Sequence, residues 1–178
     1  MKNWFSAGKT SLLAFGLVAA AGGGASLAAA PVHAAPVQAA NTVPGWPVYA
    51  NARYGYRVCY PSALLKPAAE APNGDGRRFV GANRAVLSVW GSNNALDQSV
   101  ADAAAEDKKR LGAGGQVTYS VVKPNWYVLS GRRNGQIFYL KSVLANGAFS
   151  TMELRYPEAG AKAWGPVTAR MAKCFSAG

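Results

Sequence analysis

Two Asn-Gly pairs, Asn134-Gly135 and Asn146-Gly147, each stand between runs rich in β-branched and aromatic residues. Both residues of a type I′ turn need positive φ, which Asn and Gly tolerate, so each pair predicts a tight hairpin. The runs they join are Trp126–Ser130, Gln136–Leu144 and Phe149–Tyr156. Three strands in succession, linked by two such turns, form an antiparallel meander. That commits much of the C-terminal half to sheet.

The same reading extends upstream. Tyr54–Tyr60 alternates, with Tyr56, Val58 and Tyr60 on one side and Arg57 and Cys59 on the other, until Pro61 ends it. Ser62–Leu65 reads as a short helical turn, and Asn73-Gly74-Asp75-Gly76 as a tight turn. Strands are predicted over Arg77–Gly81, Ala85–Trp90 and Val117–Val122. Asp97–Leu111 has helical spacing, with Leu96, Val100, Ala103, Ala104 and Leu111 along one side and Gly112 as the closing residue. Lys162–Phe175 puts Trp164, Val167, Met171, Cys174 and Phe175 on one helical face. The expected fold is α+β: one domain, with an antiparallel sheet of about six to seven strands packed with two main helices in a helix–sheet–helix sandwich.

The N-terminus predicts a destination. Lys2 and Lys9 precede an uncharged run from Leu12 to Ala30, and Val32-His33-Ala34 offers small residues where a signal peptidase cuts. Residues 1–34 therefore read as a secretory signal peptide cleaved between Ala34 and Ala35, with Val37-Gln38-Ala39 as a second possible site. The competing reading is an uncleaved anchor, since the run of 19 residues approaches the roughly 20 that span a bilayer. Gly22, Gly23 and Gly24 interrupt it, and alanine dominates its second half. In that case the segment would be the chain's membrane contact. No cysteine follows the run, which argues against a lipoprotein, and no twin arginine precedes it. Residues 35–45 form an Ala/Pro-rich lead-in, and 46–178 the domain, in the periplasm or outside the cell.

Export sets the reading of the cysteines. Cys59 and Cys174, 115 residues apart, would meet an oxidising compartment and form a structural disulfide; two buried free thiols are the alternative. A redox pair would keep its cysteines closer, as in C-x-x-C. Such a bridge would join the C-terminal helix to the first strand.

Charge sets the class of partner. The chain has 19 Lys+Arg against 8 Asp+Glu; loss of Lys2 and Lys9 leaves 17 against 8, a net +9. Such a domain attracts nucleic acid, anionic lipid, acidic polysaccharide or acidic protein. The clusters are Arg77-Arg78, Lys108-Lys109-Arg110 and Arg132-Arg133.

The order of these features resembles the PsbP-like and DcrB-like superfamily of small exported domains. The residues concerned are Tyr54 to Ser62, Asn73-Gly74-Asp75-Gly76 with Arg78-Phe79, Leu87 to Gly91, Trp126 to Gly131, Ile137-Phe138-Tyr139 and Tyr156-Pro157. The resemblance covers residues 46–175 at the level of spacing. It implies an antiparallel sheet between helices and a non-enzymatic binding or assembly role, and it brings no catalytic residue.

Catalytic chemistry finds little support. His33 is the single histidine and leaves with the signal, which removes Ser-His-Asp and Cys-His catalysis and His-ligated zinc. No nucleophile elbow, HExxH or P-loop pattern occurs, and no cofactor is implied. A histidine-independent hydrolase would need paired carboxylates from Glu106, Asp107, Glu153, Glu158, Asp75 and Glu70, whose spacing supports no pairing. Lys141 and Ser142, adjacent on a strand, face opposite sides.

Two binding roles follow. One is an envelope interaction protein that recognises an unidentified envelope protein through its sheet or a hairpin. The other is a polyanion binder using Arg132 and Arg133 with Lys123, Trp126 and Tyr127, and with Arg77 and Arg78 as further anion contacts. Trp46, Trp90 and Trp164 read as core residues in preference to the lining of a ligand cavity.

Overall fold

The two Asn-Gly turns adopt the left-handed backbone their composition favours. Asn134 and Gly135 have φ of 51° and 72°, Asn146 and Gly147 of 50° and 71°. In the computed structural model, which describes residues 45–178, they connect β7 (Trp126–Arg133), β8 (Gln136–Ala145) and β9 (Ala148–Pro157). The signal segment, its cleavage point and all but the last residue of the lead-in lie outside the described residues.

β9 does not end the sheet. It pairs antiparallel with β5 (Val86–Asn93), from Val86↔Arg155 to Asn93↔Ala148. β4 (Gly76–Gly81) and β3 (Leu65–Glu70) extend one side, and β6 (Gly115–Val122) the other. The result is seven antiparallel strands in the order β3-β4-β5-β9-β8-β7-β6. β1 (Val48–Ala50) and β2 (Arg57–Cys59) form a separate two-stranded ribbon. Helices α1 (Val100–Gly112) and α2 (Ala161–Cys174) complete the α+β domain. Among the described residues no helix is long and apolar enough to cross a membrane.

Strand alternation sorts the core into two layers. Leu65, Phe79, Leu87, Met152 and Leu154 lie under α2 and the ribbon, packed with Tyr56, Val58, Met171 and Phe175. Tyr127, Leu129, Phe138, Leu140 and Phe149 lie on the opposite face with Val100, Ala103, Ala104 and Leu111 of α1. Burying a side chain of this size stabilises the fold by about 1.5–3 kcal/mol. The Ser99 hydroxyl caps α1 by accepting from the Asp102 amide at 3.1 Å, satisfying a donor that the helix start leaves open.

Several expectations need correction. The strand predicted over Tyr54–Tyr60 shrinks to β2 and lies in the ribbon, outside the main sheet. Cys59 is buried like Val58 because α2 covers its side of the ribbon, and it bonds to Cys174 with Cα atoms 5.9 Å apart. The bridge therefore staples α2 to β2, the second strand of the chain.

Ser62–Leu64 forms a turn that leads into β3, a strand containing Lys66, Pro67 and Glu70 that was not expected, and Leu65 is its first residue. Only an edge position accepts Pro67 within a strand. Leu96 is 92% exposed, since it lies before the helix and off its buried face. Gly112 belongs to α1, and the left-handed residue after the helix is Gly114, at φ 76°.

Each helix covers part of its face. α1 packs on β6 and β7, whereas α2 packs on β8, β9 and β2. On the α1 face, therefore, β4, the Val86–Ser88 end of β5 and part of β9 have no helix above them, while Trp90 farther along β5 packs against the α1 layer.

Candidate anion-binding face

The open half of the α1 face is basic because of where three arginines fall in the register. Arg78 of β4 stands opposite Ser88 of β5, which stands opposite Glu153 of β9. One row along, Val86 stands opposite Arg155. Strands lie about 4.8 Å apart, so Arg78 and Arg155 flank β5 on the same face. Arg84 comes from the 3-10 turn Ala82–Arg84 between β4 and β5. These side chains, with Val86, Ser88 and Gln136, line a cavity of about 420 Å³.

Arg84 reaches this place at a conformational cost. Its φ is 65° and that of Asn83 is 53°. Asn tolerates this region, but a long side chain there loses about 1–2 kcal/mol. The Gln136 amide donates to the Arg84 carbonyl at 3.0 Å and fixes the turn.

Beneath the arginines lies a buried carboxylate. Glu153 is 4% exposed, and an ionised group so placed must be paired. Its Oε1 accepts from the Arg155 guanidinium, and its Oε2 lies 3.6 Å from Arg110 of α1. Arg110 also donates to Asp107 at 2.7 and 2.9 Å, and the Tyr127 hydroxyl donates to Asp107 at 2.6 Å.

Burial alone would lower the Arg110 pKa; the hydrogen bond and charge of Asp107, with Glu153 behind them, more than offset it, and the net shift is upward. Tyr127 is pushed well above the ordinary phenol value, first by burial and then by its bond to Asp107. The network spends Arg110 and most of Arg155 on internal acids. Among the described residues the Arg78 and Arg84 side chains make no hydrogen bond or ion pair.

The clusters named from the sequence are split by the period of the sheet. Arg133 faces the same side as Arg78 and lines an adjoining cavity of about 190 Å³ that shares Gln136 and Arg155. Arg78, Arg84, Arg155 and Arg133 thus follow one another along a single face. Arg77 and Arg132 alternate to the other face, where the Arg77 guanidinium lies 5.5 Å from the Tyr49 ring.

Lys123 is not near Arg132 and Arg133. It sits in the β6–β7 turn, donating its amide to the Trp126 carbonyl at 2.8 Å, with the length of β7 between, about 20 Å at 3.4 Å per residue. Tyr127 is buried and committed to Asp107, and Trp126 is half-buried. The structure separates these residues from the hairpin tip.

The sequence singles out neither Arg84 nor Arg155, gives Arg110 only as part of a basic cluster, and shows nothing of the roles of Asp107 and Glu153. One signal was present: Glu153 and Arg155 alternate with Met152, Leu154 and Tyr156, which places both charges opposite the apolar face. The pairing of Arg110 with Glu153 crosses 43 residues of sequence, and periodicity carries no such information.

The remaining acids do not converge. Glu70 accepts from the Tyr49 hydroxyl at 2.7 Å on the ribbon side, and Asp75 pairs with Asn73 in its turn. Among the described residues no three His, Cys, Asp or Glu side chains gather as a metal ion would require. Ser142 bonds Thr151 at 2.8 Å under α1, while Lys141 on the other face donates to the carbonyls of Ala172 and Phe175 at the end of α2. Burial lowers the Lys141 pKa.

Trp164 stacks on Tyr156, and Trp46 lies under Arg170, so the tryptophans line no common cavity with Trp90. A cavity of about 650 Å³ lies near Trp164 and is lined by one charged residue, Lys66. It lacks the convergent polar groups that a specific site needs.

No protein-family model matches the chain, and no curated protein matches it in sequence. Its fold is similar to the solution structure of cyanobacterial PsbP (CyanoP) from Synechocystis sp. PCC 6803. The match has a TM-score of 0.58 and 16% sequence identity, covering 75% of this chain and 92% of that one. The chain has a PsbP-like fold.

Proposed function

We propose that this protein is an exported, non-catalytic accessory domain that binds an anionic partner through the half of its sheet that α1 leaves open. The observation that carries this reading is the gathering of Arg78, Arg84 and Arg155 over β4, β5 and β9, with Arg133 beside them. Net charge alone would predict cations spread over the surface. Here four arginines share one face, and three of them, Arg78, Arg84 and Arg133, make no side-chain hydrogen bond or ion pair among the described residues. The Cys59–Cys174 disulfide supports an oxidising compartment. Intact mass of the protein from the cell envelope should place the mature start at Ala35.

Two pairs of charge reversals test the binding face. Arg78→Glu/Arg84→Glu and Lys123→Glu/Arg132→Glu change net charge equally but at different places. On immobilised heparin in a salt gradient, the first pair should elute at much lower salt than wild type and the second only slightly lower. Equal losses would mean that bulk charge alone drives retention.

A second reading concerns assembly through β6. β3 is guarded as an edge by Lys66, Pro67, Glu70 and a register shift, features that discourage pairing with another chain. β6 also has a register shift but no Pro or charge from Gly115 to Val122, and it exposes Tyr119 and Val122. An extended segment of a protein partner would be added here by strand pairing. Val121→Lys should block such an association while leaving heparin retention intact.

A further inference from the structure

We infer that the cavity between Arg78, Arg84 and Arg155 is a phosphomonoester site; this rests on reading the open half-sheet as the binding face and adds what that face recognises. The inference comes from counting charges. Arg155 shares its guanidinium with Glu153, and Arg110 holds the other oxygen of that carboxylate. Two positive charges at the cavity, Arg78 and Arg84, then remain uncompensated. A phosphomonoester carries about two negative charges at neutral pH, whereas a single carboxylate or a phosphodiester carries one.

Guanidinium geometry suits the ligand, because paired N–H donors match two oxygens of a tetrahedral oxyanion. Ser88 adds a hydroxyl from the cavity floor, and Val86 gives an apolar surface for the ester carbon. The volume of about 420 Å³ falls in the range of about 300–1,000 Å³ common for small-ligand sites.

Asn83 and Arg84, at φ 53° and 65°, are the central residues of the tight turn joining β4 to β5, where a hairpin needs positive φ; at Arg84 that conformation is carried by a long side chain beside the cavity. Here the Gln136 side-chain amide donates to the Arg84 carbonyl, and Arg84 lines the cavity. Glycine would relieve the strain and remove the charge. Strain and binding can therefore be separated by one substitution.

Inorganic phosphate and phenyl phosphate are titrated into the full-length protein by calorimetry, with chloride and acetate as controls. Wild type should bind one phenyl phosphate, and acetate at least tenfold more weakly. Arg84→Gly should weaken phenyl phosphate at least tenfold while its Tm stays equal or rises. Arg78→Gln, on a regular strand, should weaken binding by a similar factor without unfolding the domain.

Vesicles of phosphatidylcholine with phosphatidic acid distinguish a lipid headgroup from a free ester. Binding to these and to phenyl phosphate would assign a headgroup, and binding to phenyl phosphate alone a soluble ligand. Equal affinity of wild type and Arg84→Gly for phenyl phosphate, or no binding by wild type, would overturn the inference. If heparin retention still depended on Arg78 and Arg84 in that case, the reading of the face would stand and only the phosphate assignment would fall.

Discussion

Glu153 shows how one buried acid can set both stability and the charge of a surface. It draws Arg155 and Arg110 onto the sheet and leaves Arg78 and Arg84 unspent. Glu153→Gln should lower stability by about 1.5–3 kcal/mol, the range for hydrogen bonds to charged groups, read as a lower urea midpoint. The same change frees Arg155, so affinity for an anionic probe should rise. A variant that loses stability and affinity together would contradict this division of roles. Tyr127→Phe removes the hydroxyl bonded to Asp107 at 2.6 Å and should cost about 1 kcal/mol at neutral pH.

The elements differ in how plainly the sequence announces them. β7, β8 and β9 were legible because their turns need positive φ at both central residues and the sequence supplies Asn-Gly twice. Gly147→Ala should therefore lower stability by roughly 1 kcal/mol, measured as a shift in urea midpoint. α1 and α2 were legible from helical spacing, though Leu96 lay outside the buried stripe.

β1 and β3 were not legible. β1 is three residues long, and β3 holds Lys66, Pro67 and Glu70, so its pairing with β4 comes from tertiary context and not from propensity. The disulfide belongs to this scale too, since it holds the ribbon to α2. Reduction removes a constraint on a loop of 115 residues, worth about 4–5 kcal/mol in the chain-entropy model. Cys174→Ser should lower Tm markedly and leave heparin retention at low temperature unchanged.

For the whole molecule, the placement of helices over the sheet decides what is available for binding, and this was the part hardest to foresee. Period two correctly separates Arg77 from Arg78 and Arg132 from Arg133, but only the strand order shows that Arg78 and Arg133 share a face with Arg84 and Arg155. That order places β5 beside β9, distant in sequence, which no local pattern encodes.

Alkaline stability is also a property of the whole fold. Burial raises the Tyr56 and Tyr127 pKa values above the ordinary 10.0, so these groups contribute no pH dependence well below pH 10. Above it the unfolded chain ionises first and stability falls. Lys141, lowered from 10.5 by burial, acts with the opposite sign below that value, because there the unfolded state binds more protons. Tyr127→Phe should make the decline above pH 10 shallower in urea titrations. An unchanged slope would exclude Tyr127 as a contributor.

Binding of an anionic partner by the open half of the α1 face is open to direct measurement. Backbone amide shifts of the labelled protein, followed by NMR as a short heparin fragment is added, test it most directly. Shifts should concentrate on β4, β5, β9 and the Ala82–Arg84 turn, with Arg133 at the margin. Shifts centred on Lys123 and Arg132, or spread evenly over every exposed cation, would contradict it.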